Sequence, residues 1–241
     1  AGGLPQTNLD EIPVFYASDN QHGASMIDQI VNKFQPDAVL TIGDMWNLWY
    51  MRDQNVCRTR RWFQLYSYIP CDGEPIGGGI PPGQVPIIEE VDWPIAYTKY
   101  AENALRKTIR DREFLTRLKT IYHGVDTELY KPADAAWRRE ARRNFGIGDD
   151  QFLFLCVSRN QSRKCIPELF RAWHIFSNEP EAKGKVLLWP HMNFQDPAGW
   201  NLDHLIDQIG MRNQSIIYYN KVAHSPHEMD LMPEEEVAKL Y

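Results

Sequence analysis

Three basic side chains fall in one short loop, and their types and spacing indicate anion binding. The apolar run from Phe152 to Ser158 ends in Arg159, and Arg163 and Lys164 follow within five residues. A helical pattern begins at once, so the segment predicts a strand end, a basic loop and a helix N-terminus. Backbone N–H groups at such a helix start, together with cationic side chains, can hold a phosphate. The sequence therefore predicts a phosphorylated ligand, the alternative being a solvated surface loop.

The elements around this loop alternate between strand and helix in the second half of the chain. Alternation of this kind is typical of a wound α/β domain with a parallel sheet. The apolar and amphipathic patterns predict strands over 152–158, 186–189 and 215–219, and helices over 134–145, 164–176, 202–209 and from Pro233 onward.

The first half of the chain shows the same rhythm, with a loop-rich middle. A strand over 12–17, a helix over 23–34 and a strand over 38–43 read as one βαβ unit. A further strand near 66–70, a helix over 100–110 and a short strand over 119–123 follow. Both halves are therefore expected to be α/β.

A change of composition near Pro132 predicts the boundary between two domains. Gly124 and Pro132 punctuate the chain, and a highly charged helix follows. We expect one wound α/β domain over 1–132 and a second over 133–241. Ligands of two such domains usually bind at the carboxyl ends of the strands.

Composition excludes several classes of function. The 241 residues carry a net charge of −6 with 43% apolar content, which argues against a nucleic-acid partner and favours real cores. There is no run of 18 apolar residues and no recognisable leader, so we expect a cytoplasmic protein with at most peripheral membrane association. The four cysteines lack zinc-ligand spacing, and no metal site is predicted.

Four segments together resemble a known family. They are the turn IYHGVDTELYKP, the run FLFLCVSRNQSRKCIPELFRAW, and the later LLWPHM and IIYYNKV. This combination resembles the retaining GT-B glycosyltransferases of family 4, also called glycosyltransferase group 1. The resemblance covers most of residues 36 to 241 and implies an α/β protein of two Rossmann-like domains in a GT-B arrangement. It implies an acceptor-side domain over 1–132 and a nucleotide-sugar-binding domain over 133–241.

The resemblance also implies roles for individual residues. Arg159 and Lys164 match the pair that binds the donor diphosphate and offsets the charge of the leaving group. By position, His191 and Val222 would contact the nucleotide base or ribose. His191 can instead be a structural histidine, and Val222 would act through its backbone.

The sequence also departs from the family. Where relatives carry a histidine that touches the transferred sugar, this chain has Asp44 and Trp46 after the strand. Asp44 and His22 are the candidate catalytic residues, contacting sugar or acceptor, with local capping as the alternative for both. Trp46, Trp49 and Trp62 could stack on sugars or serve as packing anchors. The family's opening strand with its Gly-rich loop and its C-terminal glutamate pair are not recognised, so we expect a fragment incomplete at both ends.

The sequence therefore predicts a metal-independent enzyme that moves a sugar from a nucleotide-sugar donor to an acceptor with retention of configuration. The acceptor would be a glycan, lipid or protein, and the nucleotide sugar is a co-substrate, so no cofactor is expected. Two alternatives stay open: a sugar-nucleotide epimerase of similar two-domain shape, and a non-catalytic nucleotide-sugar-binding module.

Overall fold

The computed structural model describes residues 6–9, 12–16, 22–53, 62–212, 235 and 238. It divides into two compact units, Ala1–Gly124 and Val125–Tyr241, called here the N-terminal and the C-terminal unit. The predicted domain boundary after residue 132 stays a prediction. No helix within the described ranges is long and apolar enough to span a membrane.

The N-terminal unit is built on a four-stranded parallel sheet in the order β3-β4-β5-β6. Its strands are β3 (Ala38–Ile42), β4 (Gln64–Ile69), β5 (Trp93–Ala96) and β6 (Lys119–Thr120). The helices are α1 (Ile27–Phe34), α2 (Tyr50–Asp53), α3 (Val85–Ile88), α4 (Lys99–Thr108) and α5 (Arg112–Arg117), with 3₁₀ turns at Met45–Leu48 and Pro82–Gln84. Buried side chains such as Leu65, Ile69, Leu105 and Phe114 form its core.

The predicted βαβ unit over residues 12–43 is wrong in its first strand. Residues 12–15 do form a strand, β2 (Ile12–Phe15), but it pairs antiparallel with β1 (Gln6–Leu9) in a separate two-stranded sheet. Only two residues, 10 and 11, separate the innermost paired residues Leu9 and Ile12, which suits a hairpin and not a crossover. The parallel sheet therefore starts at β3.

A strand that the sequence analysis did not predict follows the loop-rich middle, residues 45–90. Strand β5 lies between β4 and β6 although Pro94 stands inside it, opposite Ser67. Proline removes a ladder donor and normally marks an edge strand. Asp92, just before β5, supplies two further hydrogen bonds to β4. Its carboxylate accepts the Leu65 N–H at 2.8 Å, and its own N–H donates to the Leu65 carbonyl at 3.0 Å.

The C-terminal unit carries the parallel pair β7 (Phe152–Val157) and β8 (Val186–His191). Its helices are α6 (Ala135–Asn144), α7 (Ile166–Ser177) and α8 (Leu202–Ile209), all close to their predicted bounds. Phe170, Leu188 and Ile206 are fully or almost fully buried between these elements. The strand predicted over 215–219 lies outside the described residues.

Candidate functional site

The basic loop, residues 158–165, follows β7 directly and leads into α7. Ser162–Lys164 form a 3₁₀ turn, and Cys165 takes the left-handed φ of 51° that lets the chain enter the helix. Burial raises the pKa of the Cys156 thiol, and the positive charge of Lys164 lowers it in part, so the ammonium lies near the end of β7. Among the described residues, no carboxylate lies within ion-pair distance of the exposed Lys164.

The Arg159 guanidinium is held by a carboxylate that the sequence did not single out. Its Nε donates to Asp196 Oδ2 at 2.7 Å and its Nη2 to Oδ1 at 3.2 Å, a bidentate pair. Asp196 is 8% exposed, whereas the Arg159 side chain is 60% exposed. The hydrogen bonds from Arg159 are the chief reason why the pKa of Asp196 is lowered.

This pair leaves part of the guanidinium available. An arginine side chain has five N–H donors, and Asp196 engages one on Nε and one on Nη2. The edge formed by Nη1 and Nη2 is the one that can grip a second anion. Asp196 thus fixes the plane of the guanidinium while that edge stays open to a ligand.

Asn160 fastens the basic loop to the loop that follows β8. Its side chain is fully buried, and Nδ2 donates to the carbonyls of Asn193 at 3.1 Å and Trp200 at 2.7 Å. Its Oδ1 accepts the Trp200 N–H at 3.1 Å. Gly199 packs so closely that a Cβ there would lie 2.2 Å from the Asn160 carbonyl oxygen. The two strand-end loops therefore form one joined structure.

His191 ends β8 and pairs with Val157 of β7. Its carbonyl accepts the Ser158 N–H at 3.4 Å, so it lies beside the start of the basic loop. Burial lowers the pKa of its half-buried ring, which favours the neutral imidazole near neutral pH. Val222, the other predicted base or ribose contact, lies outside the described residues.

The carboxyl edge of the N-terminal sheet carries a cluster of aromatic rings with carboxylates nearby. Tyr68 and Tyr97 stack at 5.0 Å, and His123 meets both rings edge-on at 5.2 and 4.5 Å. These three side chains are called here the aromatic cluster. The pKa of Tyr97 is raised by burial first and then by the negative charges of Asp72 and Asp44. Asp44 therefore lies near this cluster.

His22 has a mainly backbone role in the structure. It takes a left-handed φ of 53°, and its carbonyl accepts the Tyr50 hydroxyl at 2.9 Å, while the imidazole is exposed. The predicted stacking residues Trp46, Trp49 and Trp62 are all substantially exposed. Whether any of these side chains touches a ligand stays a prediction.

The structure brings together some predicted residues and adds others. Arg159, Lys164 and His191 share the strand ends of the C-terminal unit, whereas Asp44 and His22 belong to the N-terminal unit. Sequence reasoning missed Asn160, although it stands between predicted ligands. It also missed Asp196, which only tertiary contact pairs with Arg159. Within the described ranges, no group of three or more His, Cys, Asp or Glu side chains could hold a metal ion.

Sequence comparison finds no matching family model and no matching curated protein, whereas fold comparison finds several solved structures. A structure of Anabaena HepE in complex with UDP and glucose matches with a TM-score of 0.54 at 14% identity, covering 90% of this chain and 53% of that chain. The structure of S. aureus MnaA with UDP matches with a TM-score of 0.52 at 14% identity, covering 87% and 57%. Trehalose-6-phosphate synthase OtsA matches with a TM-score of 0.59 at 13% identity, covering 92% and 64%.

These comparisons define the class of fold. The chain is α/β with parallel sheets and matches the Rossmann-like fold of GT-B glycosyltransferases. At such low identity the likeness concerns the fold alone. The chain spans about half the length of the HepE and MnaA structures.

Proposed function

We propose that this chain belongs to a glycosyltransferase that takes a sugar from a nucleotide-sugar donor. The observation that carries the proposal is the basic loop, where Arg159 and Lys164 stand together at the end of a parallel strand. Asp196 fixes the Arg159 guanidinium and leaves its Nη1–Nη2 edge for the diphosphate. Bound UDP or UDP-glucose in the similar HepE structures supports a uridine nucleotide as the first donor to test.

The proposed chemistry places positive charge where negative charge develops. Transfer breaks the bond between the anomeric carbon and the diphosphate oxygen, forms a bond to an acceptor oxygen, and releases the acceptor proton. Arg159 and Lys164 would stabilise the departing diphosphate without a metal ion. Neutral His191 would contact the base or ribose as a hydrogen-bond donor or acceptor, with Val222 contributing its backbone.

The N-terminal unit would supply the acceptor side. Asp44 is half-buried near the aromatic cluster and could orient an acceptor hydroxyl or accept its proton. His22 presents an exposed imidazole from a turn anchored by Tyr50. Retention of configuration and membership in glycosyltransferase group 1 are parts of the same proposal, supported by the HGVD turn and by the spacing of Arg159 and Lys164.

Calorimetric titration with UDP-, GDP- and ADP-glucose tests the donor site. We expect one nucleotide sugar to bind, and Lys164→Ala to weaken it about tenfold or more, the value of a charge-assisted hydrogen bond. Arg163→Ala is the matched control, because it removes an exposed cation from the same loop without touching the predicted pair. Equal losses in both variants would show that only the net charge of the loop matters.

Product analysis then separates the three functional classes. A transferase releases nucleotide and forms a glycoside only when an acceptor is present. An epimerase alters or releases the sugar without an acceptor, and a binding module binds the nucleotide sugar without turnover. Because the chain spans only part of its structural neighbours, turnover is best measured on the longest form of the protein that can be produced.

A further inference from the structure

A cavity lies in the C-terminal unit, between α6 and β7. Its volume is about 420 Å³, within the range of small-molecule sites. Trp137, Phe145, Ile147, Leu153 and Leu155 supply most of its apolar wall. Neither Arg159 nor Lys164 lines it.

Arg142 lines this cavity as a buried cation without a counter-ion. The residue is only 8% exposed, and its Nη2 donates to the backbone carbonyls of Gly148 and Gln151. Its Nε has no hydrogen-bond partner, and within the described residues no carboxylate pairs with it. A buried, unpaired guanidinium is rare and energetically costly. Among the described residues, the Arg142 guanidinium therefore has no carboxylate within ion-pair distance.

A second arginine strengthens the positive end of the cavity. Arg138 stands one helical turn before Arg142 on α6, and both line the cavity. The nearest acidic residue at the helix start, Asp134, uses its carboxylate to cap the N–H groups of Ala136 and Trp137. No acidic side chain is among the described residues that line the cavity.

We propose that this cavity binds a small amphipathic anion. Its aromatic and aliphatic wall would take an apolar body, and Arg142 and Arg138 would take a sulfonate, carboxylate or phosphate head. The Arg142 guanidinium is buried and has no carboxylate partner among the described residues, so an anionic head group beside it gains a charge-assisted interaction. This site is separate from the proposed donor site, and its occupancy does not depend on glycosyl transfer.

A pair of fluorescent probes that differ only in charge tests the proposal. Anilinonaphthalene sulfonate carries an anionic head, and N-phenylnaphthylamine has the same rings without it. We expect the sulfonate to bind with one-to-one stoichiometry and about tenfold or more tighter than the neutral probe. Equal affinity of the two probes, or binding of many sulfonate molecules per chain, would overturn the proposal.

Two neighbouring arginines provide matched variants. Arg138→Ala should weaken sulfonate binding at least about threefold and leave the neutral probe unchanged. Arg139→Ala removes an equally exposed cation of α6 that does not line the cavity, and should change neither. Arg142→Met should reduce the preference for the anion to about the threefold that Arg138 supplies. If circular dichroism shows that this variant does not fold, the Arg138 and Arg139 pair decides, and equal effects of those two overturn the assignment.

Discussion

The carboxyl edges of the two parallel sheets have opposite chemistry. In the C-terminal unit, β7 and β8 end in Arg159, Lys164 and a neutral histidine, with Asn160 joining the two loops. In the N-terminal unit, the strands end in stacked rings with Asp44 nearby. Both edges lie where wound α/β sheets bind ligands, and in our proposal the edge with Arg159 and Lys164 binds the anion.

In our proposal, this difference means that the two edges bind different substrates. Fixed cations suit a diphosphate, whose charge grows as the sugar leaves. Rings and carboxylates suit a neutral, hydroxyl-rich molecule, because apolar ring faces pack on sugar C–H groups and carboxylates accept hydroxyl hydrogen bonds. The basic edge is thus the donor side of our proposal, and the aromatic edge the acceptor side.

The largest effect should come from Asn160→Ala, which removes the fully buried link between the strand-end loops. Three backbone groups, two carbonyls and one N–H, would lose their partner. We expect the free energy of unfolding to fall by about 3 kcal/mol, together with loss of nucleotide binding. Urea unfolding and calorimetry measure the two effects.

Asn144→Ala is the control for this variant, because Asn144 is exposed at the end of α6. It should change the free energy of unfolding by no more than about 0.5 kcal/mol. An Asn160→Ala protein that keeps both stability and nucleotide affinity would show that the basic loop does not need its attachment to the β8 loop.

The sequence predicted most regular elements because their patterns are local. Helix α8 was predicted over the same residues that the structure assigns, and α6 and β7 within one residue at each end. Two of the differences have tertiary causes. Strand β5 contains Pro94, which local rules place at an edge, and β2 pairs with β1 instead of joining the parallel sheet.

The candidate site was only partly predictable for a similar reason. Arg159 and Lys164 could be predicted because they are basic residues directly after an apolar run. Asp196 looks like an ordinary loop aspartate, and its pairing with Arg159 spans 37 positions of the chain. The aromatic cluster likewise combines residues from three separate strand ends, which no short pattern can bring together.

Glu102 joins α4 to β6 in the N-terminal unit. Its carboxylate accepts hydrogen bonds from Lys99 at 2.6 Å, Thr120 at 2.6 Å and Arg106 at 2.8 Å. The bonds from Lys99, Thr120 and Arg106 lower the pKa of Glu102 from 4.5 to about 2. The stabilisation is therefore complete above about pH 4.5 and is lost as the pH falls toward 2.

We expect Glu102→Gln to lower the free energy of unfolding at neutral pH by about 1 to 2 kcal/mol, after allowing for solvent around Lys99 and Arg106. The deficit should shrink as the pH falls from about 4.5 to about 2, because the wild-type carboxyl becomes protonated there. Urea unfolding of both proteins across this range measures it. A deficit that does not change with pH would mean that the charge of Glu102 contributes nothing.

Asp196 tests whether the basic edge needs an orienting carboxylate. Asp196→Ala should weaken UDP-glucose binding about fivefold, because Arg159 loses its fixed orientation, and Asp196→Asn should weaken it about twofold. The lowered pKa of Asp196 predicts that wild-type affinity stays level from about pH 8 to about pH 5. Tighter binding by Asp196→Ala would instead show that Asp196 competes with the nucleotide for Arg159.

The smallest effect on nucleotide affinity should come from a substitution in the aromatic cluster. His123→Ala removes the ring that meets Tyr68 and Tyr97 edge-on, which should cost about 0.5 to 1 kcal/mol of unfolding free energy. Nucleotide affinity should stay within about twofold of wild type, because no cation is lost from the basic loop. Calorimetry with UDP-glucose checks this, and a loss comparable to that of Lys164→Ala would contradict the division between a donor edge and an acceptor edge.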